Sequence, residues 1–164
     1  LSELSLSDPL TGLKNRRALE LIVQKWQRTA SRQSYVSLLM VDVDYFKRIN
    51  DAHGHPEGDR VLVNFARQIQ ADARGSDLVV RYGGEEFVLW LPDADAEAAA
   101  RIAERVHKCA RRVRSLAGPV TVSVGLACAV HQTGADFLAR LLKRSDQAVY
   151  RAKALGRNCT VVSD

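Results

Sequence analysis

Two acidic groups in this chain stand where phosphate chemistry could be done. The first is Val41-Asp42-Val43-Asp44, at the end of the nearly continuous apolar run from Tyr35 to Val43. Such a run reads as a buried strand. A carboxylate fixed at its end can hold a hard cation, and Mg²⁺ carried on a nucleotide takes one or two carboxylates plus phosphate oxygens. Asp44 equally suits the cap of a helix starting at Tyr45-Phe46-Lys47. The second group is Gly83-Gly84-Glu85-Glu86-Phe87, between two apolar runs. Two glycines let a backbone approach a phosphate closely. Two adjacent acids on so tight a turn cannot both face solvent as ordinary strand residues do; one can ligate a metal while the other points elsewhere or shares it. A Gly-Gly pair alone would be a plain hairpin turn.

These residues need elements to hold them. Asn15 caps a helix with Leu19, Ile22, Val23 and Trp26 on its apolar face. Strands are expected at Tyr35 to Val43, Leu78 to Tyr82, Phe87 to Leu91, Val120 to Val130 and Asn158 to Val162. Asp44 to His55 reads as a short helical turn and a Gly-His loop. Helices follow at Gly58 to Gln70, Ala94 to Leu116 and Asp136 to Leu155, the last stopped by Gly156. The order β-α-β-β-α-β-α-β contains the split βαβ arrangement. The fold class is therefore α+β, ferredoxin-like or palm-type, with a mainly antiparallel five-stranded sheet flanked by helices. That layout is shared with polymerase palms and nucleotide cyclases and proves no activity.

The chain has 164 residues, which suits one domain. Its 46% hydrophobic and 26% charged content excludes bulk disorder and long coiled coil. No apolar run reaches the roughly 20 residues of a membrane span. Cys109, Cys128 and Cys159 are odd in number and form no C-x-x-C, so reduced thiols in the cytoplasm are expected. The net charge of +5 favours anionic partners. Nucleic acid is set aside, because aromatics are only 6% and no recognition-helix motif appears. The chain does not begin with Met, and it is expected to be a piece of a longer protein. Residues 1–8 read as the end of an upstream linker or helix, and 9–164 as the domain.

Gly-Gly-Glu-Glu-Phe at 83–87, with Asp-Val-Asp-Tyr-Phe-Lys-Arg-Ile-Asn-Asp at 42–51, resembles the GGDEF, or diguanylate cyclase, family. Asp8-Pro9-Leu10-Thr11-Gly12-Leu13 and Asn15-Arg16-Arg17 are similar to its opening motif. Gly54-His55, Gly58-Asp59, Val122-Ser123-Val124-Gly125, Ser145 to Lys153 and Gly156-Arg157-Asn158 follow in order. Glu85 stands where the family name carries Asp; the carboxylate survives.

The resemblance implies a Mg²⁺-dependent enzyme, with Mn²⁺ also served by oxygen ligands. It would join two GTP molecules into cyclic di-GMP and release two pyrophosphates. Asp42, the Val43 carbonyl, Glu85 and Glu86 would hold the metal, and Glu85 would be the base for the 3′-hydroxyl. Asn50 and Asp59 match the guanine-reading positions, and His55 shares their loop; a carboxylate can accept from the guanine's two adjacent donors. Gly83, Gly84, the N–H groups of Phe46 and Lys47, and the side chains of Lys153 and Arg157 would receive the triphosphate. Lys47 would also stabilise charge at the α-phosphate. Arg74 and Asp77 resemble the R-x-x-D product-inhibition site, to which Arg105 would add a second arginine. Arg101, Arg105, Lys108 and Arg112 otherwise make a basic helix stripe, usually a solvated face. One domain holds one GTP, so the catalytic unit requires a second copy. An upstream sensory region is expected in the parent protein, and anchorage of that parent at the inner membrane is compatible with the sequence. The alternative is a catalytically silent module sensing GTP or cyclic di-GMP. Asp42, Glu85, Glu86, Asn50, Asp59, Lys153 and Arg157 are all present, which counts against it.

Overall fold

The computed structural model describes residues 5–164. The helices are α1 (Arg16–Thr29), α2 (Phe46–His53), α3 (His55–Asp72), α4 (Ala96–Arg112) and α5 (Phe137–Ala154). The strands are β1 (Tyr35–Val43), β2 (Leu78–Arg81), β3 (Glu86–Pro92), β4 (Val122–Val130) and β5 (Thr160–Val162). They form one sheet in the order β2-β3-β1-β4-β5, with only β4 and β5 parallel. This is the expected α+β split-βαβ layout with a fifth strand added at one edge.

The period-two alternation of strand side chains separates two cores. Leu39, Val41, Phe87, Leu89, Val122 and Val124 meet α3 and α4, where Phe65 stands edge-on to Phe87 at 5.1 Å. Leu38, Met40, Val88 and Trp90 meet α1 and α5. There Trp26 stands edge-on to Trp90 at 5.5 Å and stacks on Phe137. The same alternation puts Asp42 and Glu86 on the α5 face, at the open end of the central strands.

Several boundaries differ from expectation. The Asp44 to His55 segment holds the two-turn helix α2 at Phe46–His53, and α3 begins at His55 rather than Gly58. Gly54 separates the two helices at φ +88°, and Pro56 suits the first turn that follows. β4 starts at Val122 rather than Val120, although Thr121 still accepts from the Asp44 N–H and donates its hydroxyl to the Asp44 carboxylate. α4 ends at Arg112 rather than Leu116, and the Leu116 N–H instead donates to Glu57 at 2.8 Å. Ser5 to Asp8 lie against the domain: the Asn15 N–H donates to the Leu6 carbonyl, and Ser7 bridges Lys14. The linker reading of Leu1 and Leu4 lies outside the described residues.

Candidate functional site

Asp42 is paired in register with Glu86 across β1 and β3. Antiparallel partners hold their side chains close, so two acids stand beside each other at the strand ends. Burial pushes the Asp42 carboxyl above the usual range, and the Lys153 ammonium hydrogen-bonded to it only partly offsets this. Burial raises Glu86 as well, and the charges of Asp42, Asp146 and Glu85 add to it. Glu85 sits one residue earlier, and its carbonyl accepts from the Val43 N–H at 3.1 Å. This is an all-oxygen donor set under mutual repulsion, which fits a hard divalent cation. Among the described residues no three such groups close into a cage.

The Gly-Gly pair forms the expected hairpin, with the N–H groups of Tyr82 and Gly83 donating to the Glu86 carbonyl. Neither glycine has a positive φ. A Cβ on Gly83 would lie 2.2 Å from Glu86 Oε1, so a side chain there would push the Glu86 carboxylate out of its place. A Cβ on Gly84 would meet nothing within 4 Å, so the turn is open on that side. Arg81 clamps the turn: its guanidinium donates to the carbonyls of Gly83 and Gly84 and to the Asp8 carboxylate. Burial raises the Asp8 carboxyl, but bonds from Thr11 and the Arg81 charge outweigh it and hold the group low. Nothing local in the sequence singles out Arg81; Asp8 is 73 residues away.

The α2–α3 corner gathers a second set. Asn50 is packed so tightly against Gly58 that a Cβ there would lie 1.9 Å from Asn50 Oδ1. That oxygen is buried and has no hydrogen-bond partner among the described residues, a costly state unless a ligand supplies a donor. Asp59 and His55 are exposed on the first turns of α3. Phe46 and Leu10 pack on the edge of the neighbouring core. Lys47 lies on the solvent side of α2, bonded to Asp51 at 2.7 Å, and that bond raises its pKa.

The end of α5 supplies the cations. Gly156, at φ +111°, closes α5 with its N–H on the Lys153 carbonyl, while the Arg157 N–H bonds the Ala152 carbonyl. This paired closure, a Schellman motif, sets Lys153 and Arg157 at the site. Asp44 is not the cap of α2; Tyr45 holds that position. Instead Asp44 accepts from the hydroxyls of Thr121 and Ser123 and from the Asn158 N–H, tying β4 and the α5–β5 loop to β1. Its partners are 77 or more residues away, so the sequence carries no local sign of this task.

Arg74, Asp77 and Arg105 also converge, at the opposite end of β2 from the hairpin. Arg74 and Asp77 form a bidentate pair at 2.7–3.2 Å. Arg105 bonds the side chain and carbonyl of Asp72 at 2.8 Å, and it shares a cleft with Asp77.

Comparison with known proteins gives the family. The family model described as diguanylate cyclase, GGDEF domain, matches residues 5–159. Diguanylate cyclase DgcM of Escherichia coli is 45% identical over 154 residues, covering 92% of this chain and 37% of DgcM. Response regulator PleD of Caulobacter vibrioides is 42% identical, covering 97% of this chain and 36% of PleD. The chain thus spans little more than a third of either relative. Among solved structures, diguanylate cyclase SiaD of Pseudomonas aeruginosa is 41% identical with a TM-score of 0.86, covering 99% of this chain and 63% of that one. The GGDEF domain and coiled coil of DgcB from Caulobacter crescentus, solved with c-di-GMP, superimposes with a TM-score of 0.86 at 28% identity, covering 96% of this chain and 85% of that one. The paired strand-end acids, the clamped Gly-Gly turn and these matches lead to one conclusion: the chain belongs to the diguanylate cyclase family of GGDEF domains.

Proposed function

We propose that this chain is a diguanylate cyclase domain that condenses two GTP molecules into cyclic di-GMP. Each 3′-oxygen forms a bond to the α-phosphorus of the other GTP. The bond from that phosphorus to pyrophosphate breaks, and the 3′-hydroxyl proton passes to Glu85. The observation that carries this reading is the pairing of Asp42 with Glu86 beside the Gly83–Glu85 turn, faced by Lys153 from α5.

Asp42, Glu85, Glu86 and the Val43 carbonyl would hold Mg²⁺ or Mn²⁺. The metal would neutralise the triphosphate and align attacking and leaving oxygens. The guanine sits at the α2–α3 corner, where the unpartnered Asn50 oxygen awaits a donor, with Asp59 and His55 alongside. The N–H groups of Phe46 and Lys47, the open turn at Gly83 and Gly84, and the cations of Lys153 and Arg157 receive the phosphates. Lys47 must leave Asp51 to join them. Product returns to the Arg74, Asp77 and Arg105 cleft and inhibits; to bind there it must open the Arg74–Asp77 pair. Catalysis needs a second copy of the domain facing the first, brought together by an upstream sensory region.

The test is concentrated protein with GTP and Mg²⁺, products identified by mass spectrometry, and Glu85→Ala in parallel. Cyclic di-GMP from the wild type alone supports the cyclase and the role of the hairpin acid. Absence of product at every concentration, including after fusion to a dimeriser, overturns it.

A further inference from the structure

We propose that the ring of Tyr45 is a positioning residue that holds Arg157 ready for the triphosphate. This rests on the assignment of Arg157 to the phosphates made above. Tyr45 precedes α2 at φ 56° and ψ 28°, in the left-handed region. A bulky aromatic residue is an outlier there, and its side chain makes no cap hydrogen bond. Asn would serve both the backbone and the cap better. Tyr45 is also 46% exposed, so core packing does not explain it.

What the strained backbone achieves is a place between two guanidiniums. Arg48 lies 4.3 Å from the ring centroid and Arg157 lies 4.7 Å from it. Arg157 comes from the far end of the chain and is itself left-handed, at φ 67°. Two backbone outliers, more than a hundred residues apart in sequence, thus meet in one contact. Outliers of this kind persist where the surroundings over-determine them, which is characteristic of functional sites.

The contact has a property that an ion pair would lack. Arg60, Arg74, Arg81 and Arg105 all donate to carboxylates. Among the described residues the Arg157 guanidinium donates no hydrogen bond. Its nearest acid, Asp44, is 3.9 Å away, and the Asp44 oxygens already accept from Thr121, Ser123 and Asn158. Stacking on the Tyr45 face restrains the guanidinium while leaving its five N–H donors free. A phosphate then meets a cation that is already placed and need break no bond to bind it.

The experiment is equilibrium binding of 3′-deoxyguanosine triphosphate with Mg²⁺, a probe without the attacking hydroxyl. Guanosine is the phosphate-free control. Tyr45→Asn removes the ring and keeps a residue suited to this backbone, Tyr45→Phe keeps the ring, and Arg157→Ala removes the cation. Tyr45→Asn is expected to weaken the triphosphate about three- to tenfold. Tyr45→Phe should bind as wild type, and guanosine affinity should not move. In an Arg157→Ala background Tyr45→Asn should cost nothing further. The proposal is overturned if Tyr45→Asn binds the triphosphate as wild type, if Tyr45→Phe is as weak as Tyr45→Asn, if guanosine affinity falls in step, or if the loss persists without Arg157. A separate result, Arg157→Ala binding the triphosphate as tightly as wild type, overturns the assignment of Arg157 and this proposal with it.

Discussion

The Asn50 Oδ1 is buried with no donor among the described residues, which is a cost to the free chain and, in the proposed reading, an opening for a guanine. Replacing it by Ala should raise the KM for GTP roughly ten- to hundredfold, since a buried polar partner is worth about 1–3 kcal/mol. It should also narrow the preference for GTP over ITP, whose base lacks the 2-amino group, with Asp59 left to read the remainder. The melting temperature should hold or rise, because the unpartnered oxygen is gone. Steady-state kinetics and a thermal melt check both; unchanged kinetics would remove Asn50 from the guanine site. Some of the residue-scale picture was legible in advance. Asp42 was marked by its place at the end of an apolar run, and Glu85 and Glu86 by the glycines before them. The task of Asp44 was not, because short polar residues cap helices far more often than they anchor distant loops. Nor was the pairing of Lys153 with Asp42, which joins positions 111 residues apart.

Two devices hold the elements that carry these residues. Helix α5 lies directly on β4 at Gly125, where a Cβ would come within 2.0 Å of the Ser145 carbonyl. The same Cβ would lie 2.7 Å from the Val149 nitrogen, and since both atoms are backbone neither can turn aside. Gly125→Ala should therefore destabilise the fold by about 1–3 kcal/mol or more and move Lys153 off Asp42. Chemical denaturation measures the first effect and turnover the second. The other device is Glu57, whose carboxylate takes two bonds from Arg60 and one from the Leu116 N–H. The Arg60 bonds, then that N–H, hold its pKa down at about 2. A group lowered on folding contributes stability above its ordinary pKa of 4.5 and loses it as pH falls toward 2. Glu57→Gln should lower the melting temperature at pH 7, and the gap to wild type should close with acid over that window. Melts at a series of pH values would show it; a constant gap would assign the effect to packing instead. The strands and long helices were legible from periodicity and apolar runs. The α2–α3 break was not placed correctly, because Gly58 reads as a helix start. It lies inside α3 for the room it leaves Asn50, which no local propensity reports.

At the scale of the molecule, the proposed reaction gives each chain one GTP site and therefore half of a symmetric product. Specific activity should rise with protein concentration, and initial rates over about a hundredfold dilution series measure it. A flat series would remove the need for a second copy. Arg105→Ala should weaken cyclic di-GMP binding about tenfold, as expected for one charge-assisted contact, and relieve slowing as product accumulates. Calorimetric titration of the product checks the affinity directly. The sheet's two faces also differ in a way that serves measurement. Both tryptophans of the chain, Trp26 and Trp90, touch each other in the α1–α5 layer, and the α2–α3–α4 layer has no indole. Intrinsic emission is therefore a one-sided gauge. It would register a loosening of the helix that carries Lys153 and stay silent to events at the corner around Asn50, so the two halves of the site can be watched by separate signals.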